Sequence, residues 1–242
     1  MGASRGIGRG IAAVLAREGA RVAIASREAE RIEATAEEFR GETAGEVVGA
    51  VAHTENLNHL AALPAEVAER LGPVDVLVAN TGGPPPGGAH DHPLEEWERA
   101  YRSLVLAPRV LVGAVLPGMR ERGWGRIVNV GSTSTAEPIQ GLALSNAHRM
   151  AAVGYFKTLA REVAPDGVTV NTVATGRIAT ERLVELAGSM EVVEERAREE
   201  VPAGRLGTPE EYGDLVAFLS SERAGYLTGV VIPIDGGLLR SH

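Results

Sequence analysis

The chain opens "MGASRGIGRG", with glycines at positions 2, 6 and 8 and helix-forming residues directly behind them. Glycines spaced this way let a backbone turn through positive φ and approach a pyrophosphate closely. A helix starting near Ile7 would aim its first N–H groups at that anion. The chemistry is that of holding a dinucleotide, with Gly2, Ser4, Arg5, Gly6, Ile7 and Gly8 around its phosphates; the alternative is a glycine-rich turn that only caps a helix. A second stretch, "RVAIASR" (21–27), lies at the distance expected of the next strand in a nucleotide-binding unit. An acidic residue at the end of that strand would hold a ribose diol, whereas an arginine suits a 2′-phosphate. Ser26 and Arg27 stand there. Arg5, in the turn, would converge with Arg27 on one phosphate and favour NADP over NAD. The alternative for Arg27 is a solvated residue in a first helical turn.

Such residues need a scaffold. Short apolar runs at 21–26, 46–51, 74–80, 126–132, 167–174 and 229–237 alternate with amphipathic stretches, among them 28–40, 94–122 and 143–164. Runs this apolar fit strands buried on both faces, and the alternation fits a doubly wound parallel sheet with right-handed crossovers. In such a sheet ligands bind at the carboxyl ends of the strands. The 242 residues suffice for one α/β domain, and no repeat or linker divides them. A formal net charge of −8 gives no reason to expect nucleic acid or an anionic membrane surface. There is no cysteine, so disulfide and thiolate chemistry are excluded. No run reaches the ~20 apolar residues of a membrane span, and no signal-peptide pattern is present, so a cytoplasmic protein is expected. Lys157 is the only lysine.

With these residues in view, the chain resembles the short-chain dehydrogenase/reductase family over nearly its whole length, most closely the 3-oxoacyl-ACP reductase branch. "GASRGIG" is similar to that family's T-G-x-x-x-G-I-G turn, and "VLVANTGG" to its N-N-A-G strand end, with Asn80 and Gly82 in register. "GRIVNVGS" resembles the strand leading to the active-site serine, here Ser132. "APDGVTVNTVATGRIAT" resembles the strand and P-G turn that follow, and "GRLGTPEEYGDLVAFLSSERAGYLTGVVIPIDGG" the C-terminal helix, strand and glycine turn. The resemblance implies further cofactor contacts at Asn80, Gly82, Gly176, Ile178 and Thr180, and a homotetramer whose apolar helices would lie at 94–122 and 143–164. The family begins with a strand ending in Thr-Gly. Met1 stands at that threonine's position, so the innermost strand, between those at 21–26 and 74–80, is expected to be missing or supplied from outside the numbered chain. A start site upstream of Met1 is the expectation.

The catalytic pattern departs from the family. Its tyrosine and lysine, four residues apart on one helix face, fall on Ser145 and Arg149; its asparagine falls on Leu104, and the proline of the P-G turn on Thr175. The acidic residue that the family places near the adenine is replaced within "VAHTE". A phenol starts at a pKa of ~10 and can be tuned toward neutrality, whereas an alkyl hydroxyl starts far higher. Ser145 is therefore a poor general acid. Arg149 keeps a charge and a planar fork of donors that suits ribose hydroxyls, without moving protons. His148, three residues after Ser145, is a proton-donor candidate, against a packing role. Ser132 would hold a carbonyl oxygen, or only tie a strand end. His90, Asp91 and His92 lack a third spaced ligand, so no metal is expected. Two readings stand: an NADP-preferring oxidoreductase with non-standard catalytic residues, and a nucleotide-binding protein of little turnover acting as a sensor or oligomeric partner.

Overall fold

The computed structural model describes residues 1–43 and 45–241. Strands β1 (Val22–Ser26), β2 (Val47–Val51), β3 (Val76–Ala79), β4 (Gly125–Val130), β5 (Val168–Thr175) and β6 (Val231–Ile234) alternate with helices. The helices are α1 (Gly6–Arg17), α2 (Ala29–Glu42), α3 (Leu57–Leu71), α4 (Leu94–Tyr101), α5 (Ala107–Arg122), α6 (Ala143–Val163), α7 (Glu181–Ala187), α8 (Met190–Glu200) and α9 (Pro209–Ser220). All strand pairs are parallel, β1 with β2, and β3-β4-β5-β6 in that order. The doubly wound α/β domain expected from the alternation is present.

The apolar runs form strands because both of their faces are covered. β4 is buried along its full length, and β5 up to Ala174. Successive side chains point to opposite faces. Ile127 packs under α5 and α6 with Val112, Val115 and Phe156. Val128 and Val130 pack under α1 and α9 with Ile11, Tyr212 and Val216. The two helical layers thus trap the four-stranded part between them.

Among the described residues no strand lies between β1 and β3, as the sequence led us to expect. The short segment Met1–Ala3 joins their carboxyl ends instead. The Ala3 N–H donates to the Ala25 carbonyl at 3.2 Å. The Asn80 side-chain amide donates to the carbonyls of Met1 and Gly2 at 3.0 and 3.3 Å.

The stretch Leu94–Arg122 runs as one helical rod of 29 residues, long and apolar enough by length and composition to cross a membrane. Its apolar side is spent inside the domain, where Leu104, Leu111, Val112, Val115 and Met119 are buried. A π-helical turn, Arg102–Leu106, interrupts the rod and carries Leu104 inward; such turns widen a helix locally and gather at functional sites.

Candidate active site

The carboxyl ends of β1, β3, β4 and β5 deliver Ser26, Asn80, Ser132 and Thr175 to one edge of the sheet, where the glycine turn also lies. Gly2 and Gly6 take φ of +58° and +55°, the left-handed region that disfavours side chains. A Cβ at Gly8 would sit 2.2 Å from the Gly2 carbonyl oxygen and 2.6 Å from the Asn80 amide nitrogen. The floor of the turn is therefore closed to anything but glycine. α1 begins at Gly6, so the N–H groups of Gly6, Ile7 and Gly8 belong to its unpartnered first turn. Ser4 precedes them. Ser26 is buried and its hydroxyl has no partner among the described residues, while Arg27 beyond it is exposed. This set fits a dinucleotide: a cradle that a Cβ would fill, a helix N-terminus over it, and an orphaned hydroxyl at the far end.

Arg5 departs from expectation. It does not join Arg27; its guanidinium turns toward α7 and pairs with Glu181 at 3.3 Å and Glu185 at 3.2 Å. Two carboxylates one helical turn apart form an attractive partner for a cation standing in the adjacent turn. Thr180, just before α7, presents its methyl group to Gly6, and Gly82 lies open in the loop after β3. Ile178 is buried and bridges to Gly207, which fixes the chain after Gly176.

On the catalytic side, Ser132 stands just past β4, after Gly131. Its Oγ accepts from the Ser134 N–H at 3.1 Å, and among the described residues its own proton has no acceptor. α6 holds Ser145 and Arg149 one turn apart on one face. Ser145 is buried. The Arg149 guanidinium reaches back to β4, donating through Nη1 to the Val130 carbonyl at 2.7 Å and the Gly131 carbonyl at 3.3 Å. Among the described residues it forms no ion pair. Desolvation pushes its pKa down, opposed by the nearby Tyr212 phenol and reinforced by the charge of Arg182. His148 is engaged elsewhere: Nδ1 bonds the Leu144 carbonyl at 2.7 Å, and the ring packs against Trp97 and Tyr101 of α4 at 5.4 and 6.2 Å between centroids. Leu104 adds an apolar wall and no hydrogen bond.

The candidate metal group disperses. His90 is exposed, Asp91 accepts from the Gly88 N–H at 2.7 Å, and His92 Nδ1 pairs with Glu96 at 2.7 Å. The "VAHTE" segment borders an open cavity lined by His53, Glu55, Asn56 and Arg102.

Tyr212 escaped the sequence reading, because a tyrosine on the apolar stripe of α9 reads as core. It is fully buried, its hydroxyl donates to the Val173 carbonyl at 3.2 Å and accepts from Thr175 Oγ1 at 3.1 Å. Burial pushes the phenol up and keeps it protonated. The extra hydroxyl of Thr175, where proline was expected, is thereby drawn away from the cleft.

Comparisons with known proteins bear on the family and the fold. Residues 2–239 match the family model described as Enoyl-(Acyl carrier protein) reductase. The chain is 36% identical to the 3-oxoacyl-[acyl-carrier-protein] reductase of Vibrio cholerae over 237 residues, 98% of this chain and 94% of that protein. Among solved structures it is similar to L-sorbose reductase from Gluconobacter frateurii complexed with NADPH and L-sorbose. That match has 30% identity and a TM-score of 0.93, over 100% of this chain and 95% of that one. It is also similar to an NADPH-bound short-chain oxidoreductase of Pseudomonas aeruginosa PAO1 described as containing an atypical catalytic center. There the identity is 28% and the TM-score 0.92, over 100% of this chain and 95% of that one.

Proposed function

Because this chain belongs to the short-chain dehydrogenase/reductase family of NAD(P)-dependent oxidoreductases, we propose that it is an NADP-preferring enzyme acting on a carbonyl or hydroxyl compound through a rebuilt catalytic centre. The observation that carries the reading is the arrangement of Ser132, Ser145 and Arg149 where β4 meets α6, with Arg149 anchored on the two carbonyls that precede Ser132. A bound NADPH supplies the hydride. Ser132 donates a hydrogen bond to the substrate carbonyl oxygen and orients it, keeping its proton. Arg149, short of counter-charge, holds the nicotinamide ribose and stabilises negative charge developing beside Ser132. The proton passes through the Ser145 hydroxyl and water, because His148 commits its Nδ1 and ring to its own helix and α4. A 3-oxoacyl thioester is the substrate suggested by the named relative, and an NADP requirement by the NADPH complexes of the neighbours.

One observation favours a second reading, a nucleotide-binding sensor of little turnover: three of the family's four catalytic positions hold Ser145, Arg149 and Leu104. The experiment that separates them uses NADPH and 3-oxoacyl thioesters. The parent is compared with Ser145→Ala and with a rebuilt protein carrying Ser145→Tyr, Arg149→Lys and Leu104→Asn. A positioned general acid contributes roughly 10²–10⁴-fold in rate, so the rebuilt protein gains turnover if the native centre is poor at this reaction. If instead the parent is brisk and Ser145→Ala abolishes turnover, serine itself moves the proton. NADPH is expected to bind more tightly than NADH, and equal affinities overturn the NADP assignment.

A second copy of the chain is the proposed partner, in a tetramer built on α5 and α6, which leave Ala114, Met150 and Ala151 exposed. Light scattering at micromolar concentration tests it.

A further inference from the structure

Helix α7 is tied across the cofactor cleft by polar side chains. None of its seven residues is buried. An isolated helix that short is marginal in water, so neighbours must hold it. Toward the glycine turn, Glu181 and Glu185 grip Arg5 at 3.3 and 3.2 Å. Toward the loop after β3, Arg182 Nη2 donates to the Pro84 carbonyl at 2.7 Å, while Nη1 stands 3.4 Å from Glu185. The four side chains form a chain of charges, Glu181–Arg5–Glu185–Arg182, ending on Pro84. It bridges the two walls between which the dinucleotide-fitting cradle lies.

From this we propose that Glu181, Glu185 and Arg182 make α7 a strap over the cofactor cleft, and that the strap and the cofactor's 2′-phosphate compete for Arg5. The proposal rests on the reading that Arg5 is a phosphate ligand. Arg5, Glu181 and Glu185 are 47%, 57% and 45% exposed at their side chains. Pairs this wet exchange readily, and each is worth only a factor of roughly 1.5 to 5 in an equilibrium. That is the range a latch needs: enough to bias where a helix without buried residues rests, too little to exclude a dianionic phosphate. When the phosphate takes Arg5, α7 loses that tie and keeps those through Arg182 and to α8. Glu181 and Glu185 therefore lower NADPH affinity and have little effect on NADH, which brings no 2′-phosphate.

The test is a cycle on the full chain. NADPH and NADH affinities are measured by cofactor fluorescence for the parent, Glu181→Gln/Glu185→Gln, Arg5→Gln and the triple variant, with hydrogen exchange of the 181–187 amides in cofactor-free protein. The double variant is expected to bind NADPH about two- to tenfold more tightly, with NADH nearly unchanged and faster exchange in α7. Arg5→Gln is expected to weaken NADPH, and the triple variant to show no tightening relative to Arg5→Gln. If Arg5→Gln weakens NADPH but the double variant gains nothing, the strap is overturned and the role of Arg5 stands. The same follows if the gain persists without Arg5, since it then reflects the removal of negative charge alone. If Arg5→Gln leaves NADPH binding unchanged, the phosphate role of Arg5 fails and the competition with it.

Discussion

Helix α9 brings Tyr212, Val216 and Leu219 against α1 and the sheet, each fully buried, whereas α7, at the same carboxyl edge, buries none of its side chains. The starts of the two helices differ as well. Thr208 caps α9 by accepting from the Glu211 N–H at 3.1 Å, and the Glu211 carboxylate accepts in return from the Thr208 N–H at 2.8 Å. Thr180 before α7 makes no such bond. Packing makes α9 part of the wall, whereas α7 has no buried residue and is tied to the glycine turn by ion pairs. A cleft that admits and releases a large anion needs both kinds of element, and the chain assigns them by hydrophobicity: "YGDLVAFL" against "ERLVELA".

The contrast can be broken most forcefully at Tyr212. Tyr212→Ala empties a fully buried aromatic site and is expected to cost about 3–5 kcal/mol, read by urea denaturation. Tyr212→Phe removes only the hydroxyl bonded to Val173 and Thr175, and about 1 kcal/mol is expected. Next in size, Thr208→Ala removes the cap of α9 at a cost of about 1 kcal/mol. Acid sharpens this comparison. The Glu211 carboxyl, held by Arg205 and then by the Thr208 N–H, is lowered from the usual 4.5 to about 2. A depressed folded pKa contributes stability that is complete above the unfolded value and is lost as pH falls through the folded one. Because the carboxyl is largely exposed, the amount is discounted to a few tenths of a kcal/mol. The stability gap between the parent and Glu211→Gln should therefore narrow from pH 6 toward pH 3 in thermal melts. Smallest is α7: Glu181→Gln/Glu185→Gln should leave global stability within about 0.5 kcal/mol of the parent, even as its local exchange rises. A loss of several kcal/mol there would show that α7 belongs to the wall after all.

Much of this wall was legible in the sequence. Strand–helix alternation has a period that survives without tertiary detail, so the parallel sheet and the ends of β1, β3, β4 and β5 lay where the apolar runs placed them. Ser145 and Arg149 share a face because helical spacing alone requires it. The rest depends on who meets whom across the fold. Arg5 and Glu185 stand 180 positions apart, and neither carries a mark of the other. The turn of Arg149 back to the Val130 carbonyl depends on the distance between α6 and β4, which no spacing rule supplies. His148 faces α4 because Trp97 and Tyr101 offer it an aromatic bed. Thr175 and Tyr212 each look unremarkable alone; only the packing of α9 on β5 makes them partners.

The closeness of Gly8 to the Gly2 carbonyl and the Asn80 amide bears on how such a protein could change its cofactor over generations. Substitutions on the floor of the cradle meet backbone with no slack, so variation there is removed before it can be tested for use. Around the rim the steric penalty vanishes: Arg5, Arg27, Glu181 and Glu185 are exposed side chains that can be exchanged singly with little harm to folding. With the roles proposed for Arg5, Glu181 and Glu185, preference between one dinucleotide and the other is free to drift by small inherited steps at the edge, while the seat beneath it stays fixed.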